Sequence, residues 1–174
     1  MTSMTAYLET DRLRLRAPTP DDAHALAVER SCDFVMRYNL YRPSTAEEIA
    51  EELVAFEHII VEKSDTGELV GCISLRDDAL RYHIDSLEIQ AWLAERFAGQ
   101  GYMTEALRAL IPRLFTEREI DLLSVRIMSA NTASVRLVEG LGFKKEGCIR
   151  RAVRHYDGRV FDMLVYSITR SDLD

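Results

Sequence analysis

The sequence has few cysteines, four scattered histidines and no metal-ligand motif. These features argue against a disulfide-rich protein and against a metalloprotein. Cys32, Cys72 and Cys148 are odd in number and stand in no C-x-x-C pattern, which argues against a disulfide framework and against a zinc site. The histidines are far apart and form no H-E-x-x-H motif. We therefore expect no metal and a reducing, cytoplasmic compartment.

We also expect no membrane segment and no leader, and basic residues are not in excess. No apolar run approaches the ~20 residues that cross a bilayer, and residues 1–5 lack the basic and apolar parts of a signal peptide. The formal net charge is -7 and the pI is near 5.2, which argues against nucleic acid or an anionic membrane as the partner. An acidic protein is compatible with a cationic amine. With 174 residues, a single domain over residues 1–174 is expected.

Hydrophobic periodicity and capping signals predict the order β-α-α-β-β-β-α-β-α-β-β. Thr19 and Pro20 predict the cap and first residue of helix one, and overlapping capping boxes at Ser44 and Thr45 predict the start of helix two. Pro112 predicts a kink or an earlier end of the third helix. The predicted strands are 12–17, 59–63, 69–75, 86–93, 122–127, 144–151 and 160–168, and the predicted helices are 19–30, 45–56, 102–117 and 132–141.

A glycine-bearing loop, Gly99-Gln100-Gly101, joins the predicted strand 86–93 to the helix at 102. Glycines allow a tight turn, and the N–H groups at a helix start attract an anion such as a pyrophosphate. Thr104 could add a hydroxyl donor. An ordinary strand-to-helix turn is the alternative from the loop alone. The segment is neither a Walker loop nor a G-x-G-x-x-G dinucleotide motif.

Two longer segments, 92-WLAERFAGQGYMTEAL-107 and 131-NTASVRLVEGLGF-143, resemble the GNAT acetyltransferases. The similarity is greatest to the RimJ/RimL type, which acetylates N-terminal amines of ribosomal proteins, and it extends to 9-ETDRLRLRAPTPDDA-23, 65-DTGELVGCISLRD-77 and 146-EGCIRRAVRHYDGRVFDMLVYSI-168. The resemblance implies an α/β GNAT fold. Its mixed, mostly antiparallel sheet would have six to seven strands with a central splayed parallel pair, flanked by about four helices.

The same resemblance implies how acetyl-CoA would be bound. The backbone of the strand end would pair with the pantetheine arm, and the loop and first helical turn would hold the pyrophosphate. Asn131 would hydrogen-bond the arm; from the local sequence alone, a turn or cap before the helix is its alternative interpretation. Ala98 and Met103 depart from the family's usual Gln or Arg and its usual small residue. The implied cofactor-binding residues are Ala91, Trp92, Leu93, Gly99, Gln100, Gly101, Tyr102, Met103, Thr104 and Asn131.

The motifs leave more than one interpretation open for the proton donor and the general base. Many GNAT enzymes protonate the leaving thiolate with a tyrosine where this chain has Val138. The RimL-type serine corresponds to Ser134, whose alternative interpretation is an ordinary serine on the first turn of the helix. Glu88, on the face of Trp92, could take the amine proton; a solvated strand carboxylate or an ion-pair partner is its alternative interpretation. His155 could substitute as the base or be an exposed turn residue. Tyr38 and Tyr41 are expected to line the acceptor pocket.

The sequence thus predicts transfer of an acetyl group from acetyl-CoA to a primary amine by direct attack in a ternary complex. A protein N-terminus or a small-molecule amine could be the acceptor. The alternative is a non-catalytic CoA-binding module that acts as a sensor, which Val138 and Ala98 favour. The resemblance allows a homodimer, and the oligomeric state stays open.

Overall fold

A computed structural model describes residues 8–40 and 42–173 of the chain. Within these residues it has eight strands and five helices, with short 3₁₀ turns at Glu95–Phe97 and Arg170–Asp172. The strands are β1 Leu8–Glu9, β2 Leu13–Arg16, β3 Glu57–Lys63, β4 Leu69–Asp77, β5 Ser86–Leu93, β6 Leu122–Met128, β7 Lys144–Arg154 and β8 Val160–Thr169. The helices are α1 Asp22–Arg30, α2 Asp33–Met36, α3 Ala46–Ala55, α4 Tyr102–Arg118 and α5 Thr132–Gly140.

All eight strands form one sheet in the order β1-β2-β3-β4-β5-β6-β8-β7. Every neighbouring pair is antiparallel except β5–β6, which is parallel because α4 carries the chain back between them. The predicted fold class is confirmed. The sheet has eight strands where six to seven were expected. The described residues contain five helices where about four were expected.

The parallel pair is short. Its register covers only Ser86↔Leu122, Leu87↔Leu123 and Glu88↔Ser124, although β5 continues to Leu93 and β6 to Met128. The two strands therefore separate after Glu88. This separation opens the middle of the sheet.

Helices cover the sheet on both faces, and side-chain alternation assigns each strand residue to one of them. On one face Ile60, Cys72 and Trp92 pack with apolar residues of α1 and α3. On the other face a larger cluster combines Ile73 and Ile89 with buried residues of α4 and α5. Strand β5 thus contributes alternate residues to two separate cores.

Local signals account for most boundaries. The box at Thr45 is present, since its side chain accepts from the Glu48 N–H and the Glu48 carboxylate accepts from the Thr45 N–H. The prediction for the first helix was wrong at its start: α1 begins at Asp22, and Thr19 donates both its N–H and its hydroxyl to the Asp22 carboxylate. Helix α4 continues through Pro112 to Arg118, so an early end was also wrong.

Position 71 accepts only glycine without a backbone shift. A β-carbon there would lie 2.2 Å from the Trp92 carbonyl oxygen and 2.9 Å from the Leu93 Cα. The close approach of β4 to the end of β5 thus depends on the missing side chain.

The outer strand β7 is interrupted. Its pairing with β8 shifts between Ile149 and Val153, and Arg151 within this bulge has a φ of 52°. The Arg151 N–H donates to the Asp162 carboxylate at 2.8 Å. Among the helices of the described residues, none is long and apolar enough to cross a membrane.

Candidate active site

A cavity of about 750 Å³ occupies the gap between the separated ends of β5 and β6. Both faces of the sheet contribute to it: Glu88, Gln90 and Trp92 from one, and Ile89, Ala91 and Leu93 from the other. Helix α4 adds Met103 and Leu107, and α5 adds Ser134, Leu137 and Val138. Its volume lies within the range of small-ligand and cofactor sites.

The loop before α4 has the backbone geometry that its glycines predict. Gly99 has a φ of 72° and Gly101, the N-cap of α4, has a φ of 79°, and both values are left-handed. The first N–H groups of a helix have no partner within it. The Gln100 amide donates to the Arg96 carbonyl at 2.8 Å, so this side chain folds back over the 3₁₀ turn.

Arg12, from the segment between β1 and β2, secures this loop and was not predicted. Its Nη1 donates to the Gln100 carbonyl at 3.1 Å, and its Nε donates to Glu105 on the first turn of α4 at 2.6 Å. Its guanidinium also lies 4.3 Å from the centroid of the Tyr102 ring. In the sequence Arg12 is only a cation near the start of the chain. No local spacing connects it to Gln100, 88 residues away.

Glu105 is the acidic partner that orients Arg12. Burial would raise its pKa, but hydrogen bonds from the Thr10 hydroxyl and from Arg12 outweigh burial, so the pKa lies below its ordinary value. The Thr10 hydroxyl donates at 2.5 Å and the Arg12 N–H at 3.0 Å. The ionised carboxylate ties the loop to the first strands of the sheet.

Asn131 and Ser134 meet at the start of α5. The Asn131 side chain accepts from the Ser134 N–H at 3.2 Å and so caps the helix. Both residues line the cavity. The Ser134 hydroxyl makes no hydrogen bond to another group among residues 8–40 and 42–173.

Glu88 lies where β5 and β6 separate, and its side chain is 2% exposed. Arg126 on β6 holds both carboxylate oxygens: its Nε donates to Oε1 at 2.9 Å and its Nη2 donates to Oε2. Of the two alternatives for Glu88, the ion pair is present, and a solvated carboxylate was wrong because the side chain is buried. The carboxylate still borders the cavity. A local sequence pattern could not predict this ion pair, because its two residues lie on neighbouring parallel strands, 38 positions apart in the chain.

Comparison with known proteins decides the family. The chain matches the acetyltransferase (GNAT) domain over residues 12–144. This chain belongs to the GNAT family. It is 29% identical over 177 residues to the uncharacterized N-acetyltransferase YoaA of Bacillus subtilis (strain 168), and the match covers 96% of this chain and 98% of YoaA.

Solved GNAT structures have the same fold. An acetyltransferase of the GNAT family from Bacillus anthracis superposes with a TM-score of 0.84 at 22% identity, covering 97% of this chain and 100% of that one. The ribosomal L7/L12 α-N-protein acetyltransferase RimL, in complex with coenzyme A, superposes with a TM-score of 0.82 at 20% identity, covering 97% and 100%. The GNAT fold that the motifs implied is thereby confirmed.

The GNAT residues inferred from the motifs fall into two groups. Those that line the cavity are Tyr38, Glu88, Ala91, Trp92, Leu93, Met103, Asn131 and Ser134. Those that lie beside it, in the loop and first turn of α4, are Gly99, Gln100, Gly101, Tyr102 and Thr104. Tyr102 is buried and its ring packs edge-on against Phe97 at 5.6 Å. Tyr41 lies outside the described residues.

Helix α2 and the segment after it form one wall of the cavity, to which Phe34, Tyr38 and Asn39 contribute. His155 secures this wall. It was interpreted as an exposed turn residue, which was wrong, because it is 2% exposed. Its Nε2 donates to the Met36 carbonyl at 2.8 Å, and its ring packs against Tyr156 and Phe161. The contact joins positions 119 residues apart, so local sequence carried no signal for it.

A buried polar cluster lies behind the same wall. Arg30 donates to both oxygens of Glu52 at 2.9 and 2.8 Å, and His58 Nε2 lies 3.8 Å from Glu52 Oε1. His58 Nδ1 is 2.8 Å from the Ser74 hydroxyl. Burial lowers the pKa of His58, so the ring is neutral at pH 7. Glu52 is the member of this cluster that reaches the large cavity.

Proposed function

We propose that this GNAT protein transfers an acetyl group from acetyl-CoA to a primary amine. The observation that carries the proposal is the cavity between β5 and β6, bordered by both sheet faces and by the helix after the Gly99–Gly101 loop. We also propose that residues 1–174 act as a single cytoplasmic domain. A protein N-terminus or a small amine is the acceptor, and a homodimer fits the proposal.

The residues present fit coenzyme A. Both loop glycines have left-handed φ values that leave backbone N–H groups available at a helix start, where an anion is favoured. Backbone donors can hold the pyrophosphate without the side chain that Ala98 lacks. The backbone of Ala91, Trp92 and Leu93 borders the gap and would hold the pantetheine arm together with Asn131. Bound there, acetyl-CoA supplies an activated thioester carbonyl.

The remaining requirements of acetyl transfer are entry of the amine, stabilisation of the oxyanion and two proton transfers. The cavity gives an amine access to the gap from the side of α1–α3, and a backbone N–H at the end of β5 would stabilise the oxyanion. The C–N bond forms as the C–S bond breaks, and the products are an N-acetyl amide and a free thiol. Glu88 would accept the amine proton through water, and the Ser134 hydroxyl would donate a proton to the leaving sulfur.

Thermal unfolding with acetyl-CoA, with ATP and NAD as controls, tests the cofactor. Ligand at a hundredfold over its dissociation constant stabilises the native state by about 2.7 kcal/mol, which raises the midpoint by roughly 5–10 °C for a chain of this size. A rise with acetyl-CoA alone supports the proposal. No rise at millimolar acetyl-CoA would refute it.

Thiol release with an amine panel then tests transfer. Ser134→Ala should lower kcat by about 10²-fold or more while the acetyl-CoA response is unchanged. The matched control is Thr132→Ala, an exposed hydroxyl on the same helical turn that does not line the cavity. Stabilisation by acetyl-CoA without turnover of any amine would instead favour a CoA-binding module.

A further inference from the structure

The charges that line the cavity do not balance. The ionisable acids and bases among its lining residues are Arg37, Arg76, Arg126, Glu52 and Glu88. Each carboxylate already has a guanidinium partner: Arg126 holds Glu88, and Arg30 holds Glu52 from behind the wall. Two guanidinium groups, those of Arg37 and Arg76, are left over.

Neither arginine forms an ion pair with a carboxylate of residues 8–40 and 42–173. The Arg76 guanidinium lies 4.8 Å from the centroid of the Phe56 ring. Its Nε is buried and has no hydrogen-bond partner in the described part of the chain. Arg37, directly after α2, is exposed at the rim of the cavity. The chain carries 29 acidic and 22 basic residues, so a shortage of carboxylates does not explain the two unpaired cations.

These cations face the acceptor and not the CoA loop. Arg76 is in register with Glu88. Together with Ser74 and Cys72, it lies on the sheet face that packs with α1 and α3, because every second residue of a strand points to the same face. The Gly99–Gly101 loop leads into α4, which packs on the opposite face. Arg37 belongs to the same wall as Tyr38. A phosphate of coenzyme A at the start of α4 would therefore lie across the sheet from both arginines.

Burial orders the charges along the cavity. Glu88 is almost inaccessible where the strands separate, Arg76 is half-buried, and Arg37 is exposed. An acceptor that enters from this face passes the two cations first, and the end that entered first reaches Glu88. A guanidinium that lacks a partner gains most from a carboxylate or phosphate, which can accept two parallel N–H donors.

We propose that the acceptor is an anionic amine: a primary amine with a carboxylate or phosphate beside it, which Arg37 and Arg76 bind while the amine points toward Glu88. The inference rests on the proposed transfer of an acetyl group to an amine and names its substrate class. Arg37 and Arg76 are the residues that set this specificity.

Matched acceptor pairs test the inference. The peptide arm compares Ser-Asp-Ala-amide with Ser-Asn-Ala-amide, and the small-molecule arm compares ethanolamine phosphate with ethanolamine. We expect at least one anionic acceptor to have a kcat/KM about tenfold above its neutral partner, or about 1.4 kcal/mol, mainly through a lower KM. The arm that shows the preference distinguishes a carboxylate from a phosphate.

Three variants report on the arginines. Arg37→Gln and Arg76→Gln should each reduce the preference severalfold, mainly by raising KM for the anionic acceptor. Arg108→Gln, which removes an exposed cation of α4 outside the cavity lining, should leave the preference intact. Equal kcat/KM for both members of each pair overturns the inference while the proposed transfer stands, and so does a preference that survives in both cavity variants.

Calorimetric titration of the same amines into the protein with desulfo-CoA provides a readout without turnover. Tighter binding of an anionic amine that is lost in Arg76→Gln supports the inference even if no acetyl group is transferred, in which case only the proposed catalysis fails. Equal affinities of both pair members, or binding of neither, overturn the inference.

Discussion

Arg126 holds both carboxylate oxygens of Glu88 across the short parallel junction of β5 and β6, and the Glu88 side chain is 2% exposed. The pair spans the point where the two strands begin to separate. It therefore links the two halves of the sheet at the deepest part of the cavity. An ionised carboxylate at this depth depends on its partner, since burial of an unpaired charge is costly.

Arg126→Met should lower the free energy of unfolding by about 2–3 kcal/mol. Loss of a fully buried partner costs about 3–5 kcal/mol, and Arg126 is 32% exposed, so water compensates in part. Urea denaturation measures the effect. In Glu88→Gln/Arg126→Met no charged carboxylate remains, and at least half of the lost stability should return. Equal stabilities of the single and double variants would show that the uncompensated charge is not the cause.

Gly71→Ala should distort the end of β5 and abolish the stabilisation by acetyl-CoA. The added β-carbon would lie 2.2 Å from the Trp92 carbonyl oxygen, so the backbone that borders the cavity has to move. Thermal unfolding with and without acetyl-CoA measures both effects. The control is Gly140→Ala at the end of α5, where a β-carbon meets nothing within 4 Å. An intact acetyl-CoA response in Gly71→Ala would contradict the prediction.

Gly101→Ala should weaken acetyl-CoA binding more than it destabilises the fold. An alanine at a φ of 79° costs about 1–2 kcal/mol, and its β-carbon would lie 3.6 Å from the Arg12 guanidinium. Gly67→Ala is the matched control, because the hairpin Gly67 has a φ of 71° with no atom near its β-carbon. Both variants should lose similar stability without ligand. Only Gly101→Ala should lose the response to acetyl-CoA, as titration calorimetry would show.

His58 should make the stability depend on pH. Burial lowers its pKa, Arg76 and Arg30 lower it further, and Glu52 opposes them. The unfolded chain binds a proton near pH 6.5 and the folded chain only at lower pH. The contribution of neutral His58 is therefore complete above about pH 6.5 and is lost as the pH falls through the lowered pKa, by up to about 1.4 kcal/mol per pH unit.

Denaturation of the wild type and His58→Gln at pH 7.5, 6.5 and 5.5 measures this slope. His58→Gln should show a smaller loss of stability toward pH 5.5. His24→Gln, at an exposed position of α1, should behave as the wild type does. A slope that is the same in His58→Gln as in the wild type would assign the pH dependence to other groups.

Much of the fold could be predicted from sequence because local rules determine it. The strand at 86–93 has the predicted bounds, and α4 begins at Tyr102 as the glycine loop indicated. Helix α2 has only four residues, too few for a periodic pattern, and was missed. The Thr19-Pro20 signal was misleading because Thr19 bonds the Asp22 side chain and does not start the helix.

The candidate site was predicted in part. Motif resemblance gave the residues of the loop, the strand end and the start of α5, whose places in the chain are local features. The side chains that hold these segments come from elsewhere: Arg12 contacts the loop, Arg126 contacts Glu88, and His155 contacts the end of α2. Such pairings depend on strand order and packing, which a local pattern does not encode.

The interruption of β7 affects how the protein behaves at high concentration. An outer strand with a continuous row of free N–H and C=O groups invites a strand from another molecule. Here the other outer strand, β1, has two residues within the described chain, and β7 loses its regular row between Ile149 and Val153. Positive charges at Lys144, Lys145 and Arg154 further repel a second copy of this edge. Within residues 8–40 and 42–173, neither border of the sheet is a good template for strand-to-strand aggregation.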